Sequence, residues 1–111
     1  LLKIMELKDE SDTEVWGGYF RQSNEFRVLD KTVKDNSLYG PTIRMTLDYE
    51  EDFMFFKKIF DELYPTNKNF SSNDVMKLLT IDNPKINDIN KEAQAKYELH
   101  LTKSAPVKFK K

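Results

Sequence analysis

The chain has no cysteine, a single histidine and only three glycines. Without cysteine there is no disulfide, no thiolate nucleophile and no Cys-ligated zinc, and the composition is compatible with a reducing cytoplasm, the compartment expected for it. His100, without a second histidine or a Ser or Cys partner, builds no hydrolytic triad. Neither a GxxxxGKS nor a GxGxxG loop is present, so no backbone cradle for phosphate is predicted. No apolar run is long enough to span a bilayer and no signal-peptide pattern opens the chain, so no membrane contact is expected. A net charge of -1 argues against a nucleic-acid role, which usually needs a basic face. The first residue is Leu1 rather than Met, which reads as the start of a piece of a longer protein.

What remains is ample for a core. Of the 111 residues 39% are hydrophobic, and eight Phe, five Tyr and one Trp argue against general disorder. Charge is uneven: six acids against two lysines between Asp48 and Leu63, then four lysines and no acid from Lys103 to Lys111, a solvated terminus. "LLKIMELK" fits either a helix end or a strand. "VWGGYF" sets aromatics around Gly17 and Gly18, where positive φ or a close backbone approach is predicted. "NEFRVLD" and "IRMTL" alternate like strands, the second burying Ile43, Met45 and Leu47 and turning out Arg44 and Thr46.

"EEDFMFFKKIFDELYP" predicts a helix with Phe53, Phe56, Phe60 and Leu63 as its apolar stripe, widened by Phe55 and Ile59. Pro65 ends it and should push Tyr64 out of the helical region. Ser71, with Asp74 three residues on, predicts the start of another helix. Residues 80–90 read as a turn-rich joint around Pro84, and 91–111 as a last helix or an extended arm.

The chemistry converges on "RMTLDYEED". Asp48 closes a predicted strand, where ligands collect in open α/β sheets and where magnesium takes carboxylates. It is equally placed to cap the following helix, with Glu51 completing a capping box. Arg44 can hold an anionic substrate or a neighbouring carboxylate, and Glu14 a sugar hydroxyl or a backbone N–H.

The run "IRMTLDYEEDFMFFKKIFDELYP" followed by "FSSNDVMKLLTIDNPKINDIN" resembles the C-terminal part of the cytidylyltransferase family. That family comprises the acylneuraminate and deoxy-manno-octulosonate cytidylyltransferases and their spore-coat polysaccharide relatives. The resemblance rests on Arg44, Thr46, Asp48, Glu51, Asp52, Phe53, Leu63, Tyr64, Pro65, Phe70, Ser71 and Asp74, and covers residues 42–90. More loosely, 12–20 looks like a segment ahead of an oligomerisation subdomain. Glu50 stands where the family has proline and Tyr49 where it has a small residue.

The resemblance implies an α/β fold, the C-terminal part of a Rossmann-like three-layer nucleotidyltransferase with few strands and two or three helices. It further implies an oligomerisation subdomain in 12–40, a strand–helix–helix unit in 42–90 and a tail in 91–111, all within one domain portion. The implied reaction joins CTP and a sugar acid into a CMP-sugar with release of pyrophosphate. Magnesium would be held by Asp48 and substrate by Arg44 and Glu14, in a homodimer. The nucleotide loop is absent here, so the portion alone should be inactive. The rival reading is a small non-catalytic α+β interaction or oligomerisation module.

Overall fold

In the computed structural model, which describes residues 1–9, 16–103 and 109–110, the chain is helical. Five α-helices follow in order: α1 (Leu2–Leu7), α2 (Gly17–Gln22), α3 (Glu50–Leu63), α4 (Ser72–Lys77) and α5 (Lys91–Lys103). Among the described residues there is no strand and no sheet, only one isolated antiparallel bridge between Lys8 and Phe109. The α/β Rossmann-like expectation is therefore corrected. A strand is held by ladder bonds to a neighbour, and neither 26–28 nor 43–47 pairs its backbone with a second strand. The chain separates into two compact units, residues 1–32 with 101–111 and residues 33–100.

In the first unit α1 buries Ile4 completely, and the Lys110 N–H donates to Leu7 O at 2.8 Å beside the bridge. The double glycine opens a helix rather than a turn. Trp16 is the N-cap of α2, no described glycine has positive φ, and a Cβ on Gly17 would meet nothing within 4 Å. Tyr19 is buried, with the Phe109 ring 5.4 Å away edge-on. Phe26 packs on Phe20 at 4.9 Å while Val28 and Leu29 are exposed, which is why "NEFRVLD" does not behave as a half-buried strand.

The second unit is built on α3 and α4. Its core is Phe55, Ile59, Val75, Leu78, Leu79 and Ile86, with Ile43, Phe56, Leu63 and Phe70 against it. The apolar stripe of α3 is thus rotated from the one predicted: Phe55 and Ile59 lie at its centre, and Phe53 and Phe60 are exposed. Phe55, Ile59, Leu63, Phe56, Phe60 and Phe53 form one broad stripe, and the core meets its Phe55–Ile59 side while the Phe53–Phe60 edge is left in solvent.

Tyr64 also departs from expectation. It remains helical at φ -61°, ψ -39°, because its N–H closes the last turn on Phe60 O at 2.9 Å, and the helix still ends at Leu63. Ser71 and Asp74 make the predicted reciprocal cap of α4: Ser71 N–H donates to Asp74 Oδ2 at 2.8 Å and Asp74 N–H to Ser71 Oγ at 3.3 Å.

Beyond α4 the chain unwinds into a π-turn (Leu78–Asp82), with Asn83 N–H on Leu78 O at 2.8 Å, then tightens into a 3-10 turn (Pro84–Asp88) opened by its proline. Asn87 ties the two together by donating to Leu79 O and Pro84 O, at 2.8 and 3.0 Å. Gly40 lets two side chains approach closely: a Cβ there would lie 2.6 Å from Met76 Cε and 2.9 Å from Ile43 Cδ1, and both side-chain ends would have to shift. No described helix is long and apolar enough to cross a membrane.

Candidate functional site

The residues singled out in "RMTLDYEED" meet in the second unit, at the entry to α3. Arg44 carries five N–H donors on a rigid fork. Its Nε donates to Asp52 Oδ1 at 2.9 Å, and its Nη2 to Asp52 Oδ2 at 3.1 Å and to Asp48 Oδ2 at 2.9 Å. Its Nη1 donates to Gln94 Oε1 on α5 at 3.0 Å. The rings of Tyr49 and Tyr97 lie 5.6 and 5.4 Å from the guanidinium carbon, within cation–π range. The Arg44 side chain is 7% exposed, so the charge is held in a dry place by partners on three sides.

Asp52 is the hub. It is 0% exposed and takes five donors: two from Arg44, the N–H groups of Asp48 and Tyr49 at 3.0 Å each, and Asn90 Nδ2 at 3.0 Å. Burial pushes its carboxyl toward neutrality. The Arg44 bonds, the two backbone N–H groups and the Asn90 amide outweigh that and hold it well below the usual carboxylate range. Asp52 in turn raises Arg44 above its ordinary value, against the opposing effect of burial. Asn90 also donates to Arg44 O at 3.2 Å, fixing the backbone at the near end of the segment.

The cap of α3 is therefore made one residue later than expected and by another side chain. Tyr49 is the N-cap position, and Asp52, at the third helical position, reaches back to the N–H groups of Tyr49 and Asp48. Asp48 does not cap. Its side chain is 51% exposed and accepts from Arg44. Glu51, expected in a capping box with Asp48, instead pairs with Lys96 of α5, whose ammonium holds its carboxyl below the usual range.

Of the predicted site residues, the structure brings Arg44 and Asp48 together, and of the two partners open to Arg44 it supplies the neighbouring carboxylate. Glu14 lies outside the described residues. Magnesium would find one half-exposed carboxylate here, already shared with a guanidinium, while the adjacent Asp52 has its lone pairs filled. Among the described residues no group of three or more His, Cys, Asp or Glu is placed to hold a metal ion.

A half-open cleft of about 310 Å³ runs beside the network, lined by Thr42, Arg44, Asn87, Asn90, Lys91 and Gln94 among others. Sequence reasoning missed Asn90, Gln94 and Tyr97. Asn90 lies 38 positions from Asp52, Gln94 lies 50 from Arg44 and Tyr97 lies farther still from Arg44, and nothing local marks them.

Comparison with protein-family models, with curated proteins and with solved structures finds no match to this chain.

Proposed function

We propose that the chain is a non-catalytic helical interaction module that works by assembling with another polypeptide surface, as a homodimer in the cytoplasm. One observation carries this reading: Arg44, Asp48 and Asp52 spend themselves on one another, while apolar side chains in the same stretch of chain are left uncovered. Arg44 and Asp52 are saturated internally. Met45, Leu47, Phe53, Met54, Phe60 and Tyr64 are all exposed in the same stretch of chain. The apolar stripe of α3 is wider than the core it meets, so Phe53 and Phe60 at its edge stay uncovered.

A second reading is favoured by a separate observation. The motif residues of the cytidylyltransferase resemblance, Arg44, Asp48 and Asp52, converge rather than scatter, and Asp48 keeps half its side chain exposed. In that reading the chain is a portion of a sugar-activating nucleotidyltransferase that joins CTP to a sugar acid. Asp48 then contributes one magnesium ligand, and further ligands come from elsewhere in a longer protein.

Calorimetry with CTP and magnesium, paired with light scattering of the chain alone, separates the two. The module reading expects self-association and no magnesium-dependent CTP heat. A magnesium-dependent CTP heat that Asp48→Asn abolishes at unchanged melting temperature would replace it with the enzyme reading.

A further inference from the structure

The outward side of α3 carries an aromatic knob, a cation, an anion and a groove in one line. Phe53, Lys57, Phe60, Asp61 and Tyr64 recur at helical spacing on a single face, and Tyr64 remains helical beyond Leu63. Phe53, Phe60 and Tyr64 are 57%, 51% and 47% exposed, and the Lys57 and Asp61 side chains 54% and 56%. The two rings nearest the helix end are braced. Phe70 meets Phe60 edge-on at 5.1 Å, and the Lys68 ammonium lies 5.9 Å from the Tyr64 ring. With Asp61 and Pro65 they line an open groove of about 470 Å³ at the C-terminal end of α3. Phe53 stands at the opposite end of the same face.

We propose that this face pairs with the same face of a second copy of the chain, antiparallel about a two-fold axis level with Ile59. This rests on the interaction-module reading and names its surface and register. Each residue of a helix rises by about 1.5 Å, so such an axis sets Lys57 of one copy level with Asp61 of the other, and Phe53 level with Pro65. Each Phe53 then enters the groove between Phe60, Tyr64 and Pro65 of the other copy, twice over by symmetry. Phe60 lies beside the axis and meets its own counterpart as an aromatic pair. Lys57 and Asp61 keep their own contact of 2.7 Å, and each gains an opposite charge across the axis at the rim. A parallel pairing would set Lys57 against Lys57. A different polypeptide would have to bring both a ring for the groove and the charges in reversed order, whereas a second copy brings both.

The contact is one helix long and its affinity is modest, so the dilute chain is monomeric and sedimentation equilibrium at rising concentration is the suitable readout. Circular dichroism checks that each variant stays folded. Phe53→Ala should raise the dimer dissociation constant about tenfold or more, while Leu47→Ala, which removes an equally exposed side chain outside α3, leaves it unchanged.

The register is read by exchanging charges. Lys57→Glu and Asp61→Lys should each weaken self-association about tenfold, and their equimolar mixture should restore it to the native level, because every charge then faces its opposite. Lys58 and Glu62 form a matched pair at the same spacing on the neighbouring face of the helix. Lys58→Glu and Glu62→Lys carry the same net charges, yet neither should weaken association and their mixture should gain nothing. Self-association that survives Phe53→Ala, that the mixed Lys57 and Asp61 variants fail to restore, or that responds equally to the Lys58 and Glu62 variants overturns this face and register while leaving the module reading in place. A protein that stays monomeric at every concentration tested overturns both.

Discussion

The entries to α3 and α4 use one device in two environments. In each, an aspartate at the third helical position reaches back to backbone N–H groups ahead of the helix: Asp52 to Tyr49 and Asp48, Asp74 to Ser71. Both carboxyls are held below their ordinary value, Asp74 first by the Ser71 N–H, Asp52 by Arg44 and its donors in spite of burial. The difference is where the second carboxylate bond goes. Asp74 closes a local box with the Ser71 hydroxyl on the surface. Asp52 takes a buried arginine and an asparagine from 38 residues away. A cap on the surface sets where one helix begins. The same cap coupled to a buried cation also fixes 42–48 and the start of α5 against α3.

That comparison is sharpest at Asp52. Asp52→Asn leaves the Arg44 charge buried beside a neutral amide, and we expect a loss of roughly 3–5 kcal/mol in urea unfolding. A loss near that of an ordinary surface cap would break the distinction. A change of similar size is expected from Phe55→Ala, roughly 3–5 kcal/mol from the cavity left in the core, whereas Phe53→Ala on the outward face of α3 should stay within about 0.5 kcal/mol.

Acid provides a second contrast. Because the folded-state carboxyl of Asp52 is depressed, its stabilisation is fully present above the unfolded carboxylate range near about 4 and is lost as pH falls below it. The urea midpoint should therefore drop between neutral pH and about pH 3, and drop less in Asp52→Asn, which has no such proton to take up. Ser71→Ala, which removes only the surface cap acceptor, should cost about 1 kcal/mol. Smallest of all is Asp48→Asn: Arg44 keeps Asp52, the lost pair is half-exposed, and the expected change is under about 1 kcal/mol in the same titration.

Local signals were readable and long-range ones were not. Ser71 with Asp74, the long helix ahead of Pro65 and the pairing of Arg44 with a nearby carboxylate all follow from residues within a few positions of one another. The phase of α3 did not, because Phe53, Phe55, Phe56 and Phe60 spread over one stripe wider than the core, and which side of it is buried is decided by Val75, Leu78, Leu79 and Ile86. The alternation Ile43, Met45, Leu47 is a true strand pattern, yet a strand needs a neighbour. Ile43 finds the core, and Met45 and Leu47 find solvent. At Asp48 the sequence placed a cap and a metal ligand on one carboxylate. The structure gives the cap to Asp52, whose part is visible only once Arg44, Asn90 and Gln94 are brought around it.

The most direct test of the self-satisfied joint is a double-mutant cycle on Arg44→Met and Asp52→Asn, read by urea unfolding. If the two residues exist chiefly for each other, each single substitution is strongly destabilising and the double variant loses no more than either alone, a coupling of about 2 kcal/mol or more. Losses that simply add would contradict the account and return Arg44 and Asp52 to separate roles.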